Sequence, residues 1–214
     1  VIPNPEKIIC VGLNYKTHRE ETGRDPTEKP VLFIRFADTQ TGHRQPIIKP
    51  AASDMLDFEG ELAVIIGKGG RHVKKADALS IVAGYSIYND GSVRDFQNHT
   101  MQWTPGKNFP ATGAFGPWMV TADELGDPTD LHMTTRLNGE VVQDTTTDLM
   151  LFDIPTVIEY ASTFTELRPG DVISTGTPGG VGFKRKPPLF MKAGDEVEVE
   201  ISRIGTLINP IVAE

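Results

Sequence analysis

The sequence is short of cysteine, of positive charge and of long apolar runs, and each shortage closes off a class of explanation. One cysteine, Cys10, excludes an internal disulfide and leads us to expect a reducing, cytoplasmic setting. Lysine and arginine number 21 against 29 acids, a formal charge of −8, and the missing cationic field argues against a nucleic-acid partner. No run approaches the roughly 18 apolar residues of a membrane-spanning helix, and no charged-then-apolar leader opens the chain, so no membrane association is expected. The start at Val1 rather than a methionine leaves room for further natural residues before it. Internal repeats, low-complexity tracts and a Ser/Gly linker are missing, so residues 1–214 are expected to form a single domain.

Motifs are missing too. Thr175-Gly176-Thr177-Pro178-Gly179-Gly180-Val181-Gly182 is rich in glycine but fits neither the dinucleotide fingerprint nor the Walker spacing. There is no Gly-x-Ser-x-Gly elbow, and Cys10 lies inside an apolar strand, where packing is its expected role. Five histidines without paired ligand spacing, beside one cysteine, disfavour zinc.

What is present reads as strands with a few short helices. Ile8–Val11, Phe58–Ile66 and Val82–Asn89 are apolar runs bounded by glycine or polar turns, and Glu196–Ile201 alternates strictly. Leu137-Asn138-Gly139-Glu140 marks a tight hairpin. Asp153 as a cap, then Pro155 and apolar residues at helical spacing, predict a helix from about Pro155 to Phe164. With 21 glycines and 16 prolines, the chain is expected to be turn-rich, and the regular strand–helix alternation of a doubly wound fold is missing. Lys184-Arg185-Lys186 reads as a solvated loop.

Two patterns carry chemistry. In Asp57-Phe58-Glu59-Gly60-Glu61, Glu59 and Glu61 share a face if the segment is a strand, and Asp90 ends another apolar strand at a glycine turn. Such carboxylates can sit in solvent on an edge strand, take up protons, pair with cations, or bind a hard divalent ion such as Mg²⁺ or Mn²⁺. His18 and Glu21 lie three apart, so on a helical turn they touch. That pair is either an exposed contact or an imidazole oriented by a carboxylate, the form a general base takes.

Taken together, these segments resemble the fumarylacetoacetate hydrolase superfamily. The resemblance is carried in order by Val11–Tyr15 with His18 and Glu21, Phe58–Leu62, Gly84-Tyr85, Asn89-Asp90, Arg94–Gln97, Gly106–Phe109, Leu137–Glu140 and Pro169–Pro178. It implies an α+β fold with a mixed β-sheet roll or barrel-like core and short helices, in a homodimer. It implies Glu59, Glu61 and Asp90 as ligands of Mg²⁺ or Mn²⁺, and a small oxo-acid as substrate. On this reading His18, held by Glu21, is the base, and Lys107 offsets an oxyanion. Arg94 and Gln97 orient the substrate or steady the acids, and Thr177 meets a carboxylate.

The expected reaction is hydrolytic cleavage of a carbon–carbon bond in a short acylpyruvate-type acid, such as fumarylpyruvate or fumarylacetoacetate. The alternatives are decarboxylation of an oxaloacetate-type acid, or hydration or isomerisation of an aromatic ring-cleavage oxo-acid. Residues 22–30 are expected to form a lid, with His18 displaced until it closes. Two departures from the family pattern stand out. Arg35 replaces a frequent lysine, which makes it a candidate clamp on a substrate carboxylate. Asn108-Phe109-Pro110 replaces a frequent Ser-Phe-Asp, from which a missing polar partner behind the site is expected.

Overall fold

The computed structural model describes residues 1–214. Fourteen strands dominate it: β1 (Ile8–Gly12), β2 (Val31–Arg35), β3 (Gln40–Gly42), β4 (Ile47–Lys49), β5 (Leu56–Asp57), β6 (Gly60–Ile66) and β7 (Val82–Asp90) come first. They are followed by β8 (Ser92–Val93), β9 (Gly113–Thr121), β10 (His132–Leu137), β11 (Glu140–Thr146), β12 (Val172–Ser174), β13 (Glu196–Ile201) and β14 (Gly205–Ala213). The α-helices are α1 (Lys16–Thr22), α2 (Arg94–Gln97), α3 (Thr104–Lys107), α4 (Ala122–Leu125) and α5 (Ile154–Phe164). Only α5 exceeds two turns. The Asp153 side chain caps it by accepting from the Thr156 amide, as the sequence predicts.

A seven-stranded sheet runs in the order β2-β1-β12-β6-β7-β9-β3, and a five-stranded sheet in the order β11-β10-β13-β14-β4. The first is mixed: β1 is parallel to β12, while β6 is antiparallel to both β12 and β7. Alternation along β6 explains its unbroken apolar run. Leu62, Val64 and Ile66 join Met133, Val197, Val199 and Leu207 in the main core between the two sheets. Ala63 and Ile65 point the other way and pack with Ile8, Cys10, Tyr88, Phe115 and Val172, residues of the same sheet. That second cluster is buried largely by neighbouring strands of its own sheet, which curls into a half-barrel.

The concave face of this curl positions the site. Glu61 pairs across the ladder with Tyr88, so Glu61, Tyr88 and Asp90 project to the side that Ala63 and Ile65 fill lower down. Phe33 and Arg35 of β2 face the same way, opposite Cys10 and Ile8. The strand expected over Phe58–Ile66 begins only at Gly60. Glu59 sits just before it, where its amide bonds the Asn89 side chain.

Candidate active site

At the floor of the concavity the acids gather. Ligand oxygens of Glu59, Glu61 and Asp90 all lie within 4.8 Å of one another, and all three residues are buried. The solvent-facing alternative for Glu-x-Glu is therefore excluded. Burial opposes ionisation of Glu59, but the charges of Lys107 and Arg94 outweigh it and hold its carboxyl well below the ordinary value.

Three cations are buried with these acids. Lys107 Nζ lies 2.7 Å from Glu59 Oε2 and 2.6 Å from Asp90 Oδ2. Arg94 Nη1 lies 2.6 Å from Glu59 Oε1, and its Nε donates to Asp57 Oδ2 at 2.7 Å. Arg35 Nη1 donates to Asp90 Oδ1 at 2.7 Å. A close backbone approach delivers Lys107: a Cβ on Gly106 would come within 2.3 Å of the Gln97 amide nitrogen.

Glu61 is the exception, because it makes no ion pair. It accepts from the Ser174 hydroxyl at 2.5 Å and from the Gly176 amide at 2.8 Å. Gly176 has φ +103°, a conformation that suits glycine and turns this amide toward Glu61. Burial, then the neighbouring Asp90 and Glu59 charges, push the Glu61 carboxyl well above its ordinary value. A buried carboxylate without a cation, beside two more within ligand distance, fits a hard divalent ion. Lys107 already donates to two of these carboxylates, so its ammonium and such an ion share the same oxygens.

The wall carries the candidate base. His18 is buried on α1, and its Nδ1 lies 2.7 Å from Glu21 Oε1, which leaves Nε2 as the ring nitrogen available for chemistry. Glu21 Oε2 accepts from the Gly180 amide at 2.9 Å, and Thr17 Oγ1 accepts from the Gly179 amide at 3.0 Å. The helix is thereby stitched to the glycine-rich loop. His18, Glu59, Glu61, Arg94, Gln97, Lys107 and Thr177 line one cavity of about 90 Å³. The expected displacement of His18 is thus not met, since it already stands in the cavity wall. Residues 23–29 are exposed, as a lid requires.

Other expectations are corrected. Arg35 does not line the cavity. The β1–β2 register turns its side chain under Asp90, where it is wholly buried and also donates to the Gly91 carbonyl and Thr112 hydroxyl. It supports a candidate ligand and has no free face for a substrate carboxylate. Asn108 spends its side chain on the backbone, accepting from the Phe36 amide and donating to the Ile34 and Thr104 carbonyls, so it bonds to none of the site's side chains. Thr177 spends its hydroxyl inside the protein, donating to the Gly60 carbonyl and accepting from Gln143. Arg94, by contrast, takes the second of its two expected roles and steadies the acids, pairing with Asp57 and Glu59. Gln97 also accepts from Arg94 Nη1.

The basic run is not a simple solvated loop either. Lys184 lines the cavity, and Arg185 donates to the Gly180 and Val142 carbonyls. Sequence reasoning missed Asp57, which accepts from the Gly182 and Phe183 amides as well as from Arg94. It also missed Phe33 and Trp103, which meet edge to face at 5.3 Å and close one side of the cavity. The position of Asp57, directly before Phe58-Glu59-Gly60-Glu61, was a usable signal; nothing in the sequence pairs residue 33 with residue 103.

Comparison with known proteins settles the family. The C-terminal fumarylacetoacetate (FAA) hydrolase model matches residues 7–212. The chain belongs to the fumarylacetoacetate hydrolase superfamily. It is 43% identical over 212 residues to a mitochondrial oxaloacetate tautomerase of Rattus norvegicus, covering 99% of this chain and 68% of that protein. The 5-carboxymethyl-2-hydroxymuconate delta-isomerase of Mycobacterium smegmatis superposes with TM-score 0.87 at 40% identity, over 98% of this chain and 80% of that one. A fumarylacetoacetate hydrolase of Exiguobacterium antarcticum gives TM-score 0.91 at 42% identity, over 99% of this chain and 76% of that one. The α+β fold expected from the sequence is therefore established. Membership makes the chain's relatives enzymes, but their named reactions favour tautomerisation and isomerisation over the expected acylpyruvate hydrolysis. No helix is long and apolar enough to cross a membrane.

Proposed function

We propose that this protein is a Mg²⁺- or Mn²⁺-dependent tautomerase or isomerase of a small 2-oxo acid, moving a proton between carbon and oxygen next to a carbonyl. The observation that carries this reading is the placement of the His18–Glu21 pair on the wall of the cavity whose floor is Glu59, Glu61 and Asp90. Proton transfer needs a base with a free lone pair, and nothing more from water. His18 supplies it: Glu21 fixes Nδ1 as the protonated nitrogen and leaves Nε2 to take the enol proton of the substrate. The same imidazolium returns a proton to the adjacent carbon, so the reaction balances with no co-reactant.

Glu59, Glu61 and Asp90 would hold the divalent ion, which when bound supplies Lewis acidity toward the carbonyl and carboxylate oxygens of the substrate. Arg94 and Lys107 keep Glu59 ionised, and Phe33 and Trp103 keep bulk water from one side of the cavity. Names of relatives support the choice: an oxaloacetate tautomerase at 43% identity and a muconate isomerase at 40%. The solved hydrolase at 42% identity supports a second reading, in which His18 deprotonates a water that attacks an acylpyruvate.

The deciding experiment follows ketonisation of enol-oxaloacetate and hydrolysis of acylpyruvates side by side, with Mg²⁺ or Mn²⁺, for the wild type and His18→Ala. Tautomerisation faster than hydrolysis, falling by roughly 10²–10⁴-fold in the variant, is the expected result. Hydrolysis as the faster reaction would restore the second reading, and full activity after exhaustive chelation contradicts both. A homodimer belongs to the same proposal, with Ile34 and Phe36 exposed at the β2 edge of the large sheet as available apolar surface. The compartment we propose is a reducing one, suited to the buried free Cys10; the rat relative's name makes the mitochondrion as suitable as the cytosol.

A further inference from the structure

The cations around this cavity fall into two groups. Arg35, Arg94 and Lys107, which belong to the floor, are each bound to a buried carboxylate. Arg24 and Lys184 line the cavity and pair with no carboxylate anywhere in the molecule. Arg24 is exposed on the segment after Gly23, the left-handed residue that ends α1. Lys184 is half-buried, with Nζ 5.0 Å from the centre of the Phe183 ring.

Their roots are fixed although their heads are free. Asp57 Oδ1 accepts from the Gly182 amide at 2.8 Å and Oδ2 from the Phe183 amide at 2.9 Å, so the backbone leading to Lys184 is tied to the same acid that holds Arg94. Arg185, next along, is committed to two backbone carbonyls and cannot swing in as a substitute. The Arg24 amide donates to the Arg19 carbonyl at 3.3 Å, so its backbone is continuous with the helix that carries His18. In a protein of net charge −8, two unpaired cations facing one small cavity are an anion-binding feature.

We propose that Lys184 and Arg24 bind a second carboxylate of the substrate, remote from the end held at the acidic floor, and so select short 2-oxo dicarboxylic acids over monocarboxylic ones. This rests on the oxo-acid reading above and names the substrate class of that site. A cavity of about 90 Å³ suits a short acid. Because Arg24 continues from α1, holding the distal carboxylate also holds the helix that presents His18. Lys184 and Arg24 are thus specificity-determining residues, and the second carboxylate acts as the handle that keeps the base in place.

The test is calorimetric binding of L-malate and L-lactate with saturating Mg²⁺, to the wild type, Lys184→Met, Lys184→Arg and Arg24→Gln. The two acids are stable hydroxy-acid stand-ins that differ in the distal carboxylate. Wild type should prefer malate; Lys184→Met and Arg24→Gln should each weaken malate by roughly tenfold or more, as loss of one charge-assisted contact implies, with lactate changed less than about twofold. Lys184→Arg should keep most of the preference. Equal losses for both acids, or no loss for malate, overturn the inference while leaving the oxo-acid reading intact. Failure to bind either acid, with oxaloacetate turnover intact, overturns the inference alone; failure of both binding and turnover overturns that reading with it.

Discussion

The floor and the mouth of the cavity are built on opposite principles. On the floor, Asp57, Glu59 and Asp90 are matched with Arg35, Arg94 and Lys107 in a buried lattice of contacts at 2.6–2.7 Å, and only Glu61 lacks a cation. At the mouth, Arg24 and Lys184 have no partner, and the segment after α1 that carries Arg24 is exposed. The difference shows how such a site divides its work. The floor is overdetermined, so every charge there depends on its neighbours; the mouth is underdetermined, so its charges are left for a ligand.

Removing one floor acid should break the comparison most severely. Asp90→Asn leaves Arg35 and part of Lys107 buried without their counter-charge. Stability should fall by about 3–5 kcal/mol, read as a shift of the urea midpoint at unchanged slope. A loss under about 1 kcal/mol, the scale of surface pairs, would mean that the lattice is not the cooperative unit described.

Next in size is the response of Glu61 to pH and metal. Burial, together with the Asp90 and Glu59 charges, raises its carboxyl above the ordinary 4.5. A carboxyl raised on folding contributes stability that is complete below the unfolded value and is lost as pH climbs through the folded value. With chelator present, stability should therefore decline as pH rises from about 4.5. Mg²⁺ or Mn²⁺ at a hundredfold excess over its dissociation constant should restore about 2.7 kcal/mol at neutral pH. Glu61→Gln should remove both the decline and most of the metal effect; a metal response surviving in that variant would place the ion elsewhere.

The smallest effect belongs to the mouth. Lys184→Met should change folding stability by less than about 0.5 kcal/mol, because no partner is stranded. Its cost should appear in dicarboxylate binding alone. A stability loss comparable with that of Asp90→Asn would erase the distinction between the two regions.

Much of the floor was legible in the sequence. Glu59 and Glu61 are two residues apart, Asp90 ends the strand that pairs with β6, and such short-range patterns carry directly into register. Asp153 as a cap and Asn138-Gly139 as a hairpin, with φ values of +53° and +81°, were readable for the same reason. What could not be read depends on contacts far apart in the chain. Arg35 was mistaken for a substrate clamp because only the β1–β2 register shows it turned beneath Asp90. Lys184 looked solvated because its link to the cavity runs through Asp57, more than a hundred residues away. Hydrolysis stood ahead of decarboxylation and isomerisation, and the sequence cannot separate them for a chemical reason: a base that deprotonates water and one that deprotonates an enol are the same His18–Glu21 pair.

The most direct measurement is the anomalous difference density of a crystal grown with Mn²⁺. The account predicts one strong peak among the carboxylates of Glu59, Glu61 and Asp90, with the Lys107 ammonium moved off at least one of the oxygens it now contacts. A map without that peak, and with Lys107 still bridging Glu59 and Asp90, would contradict it.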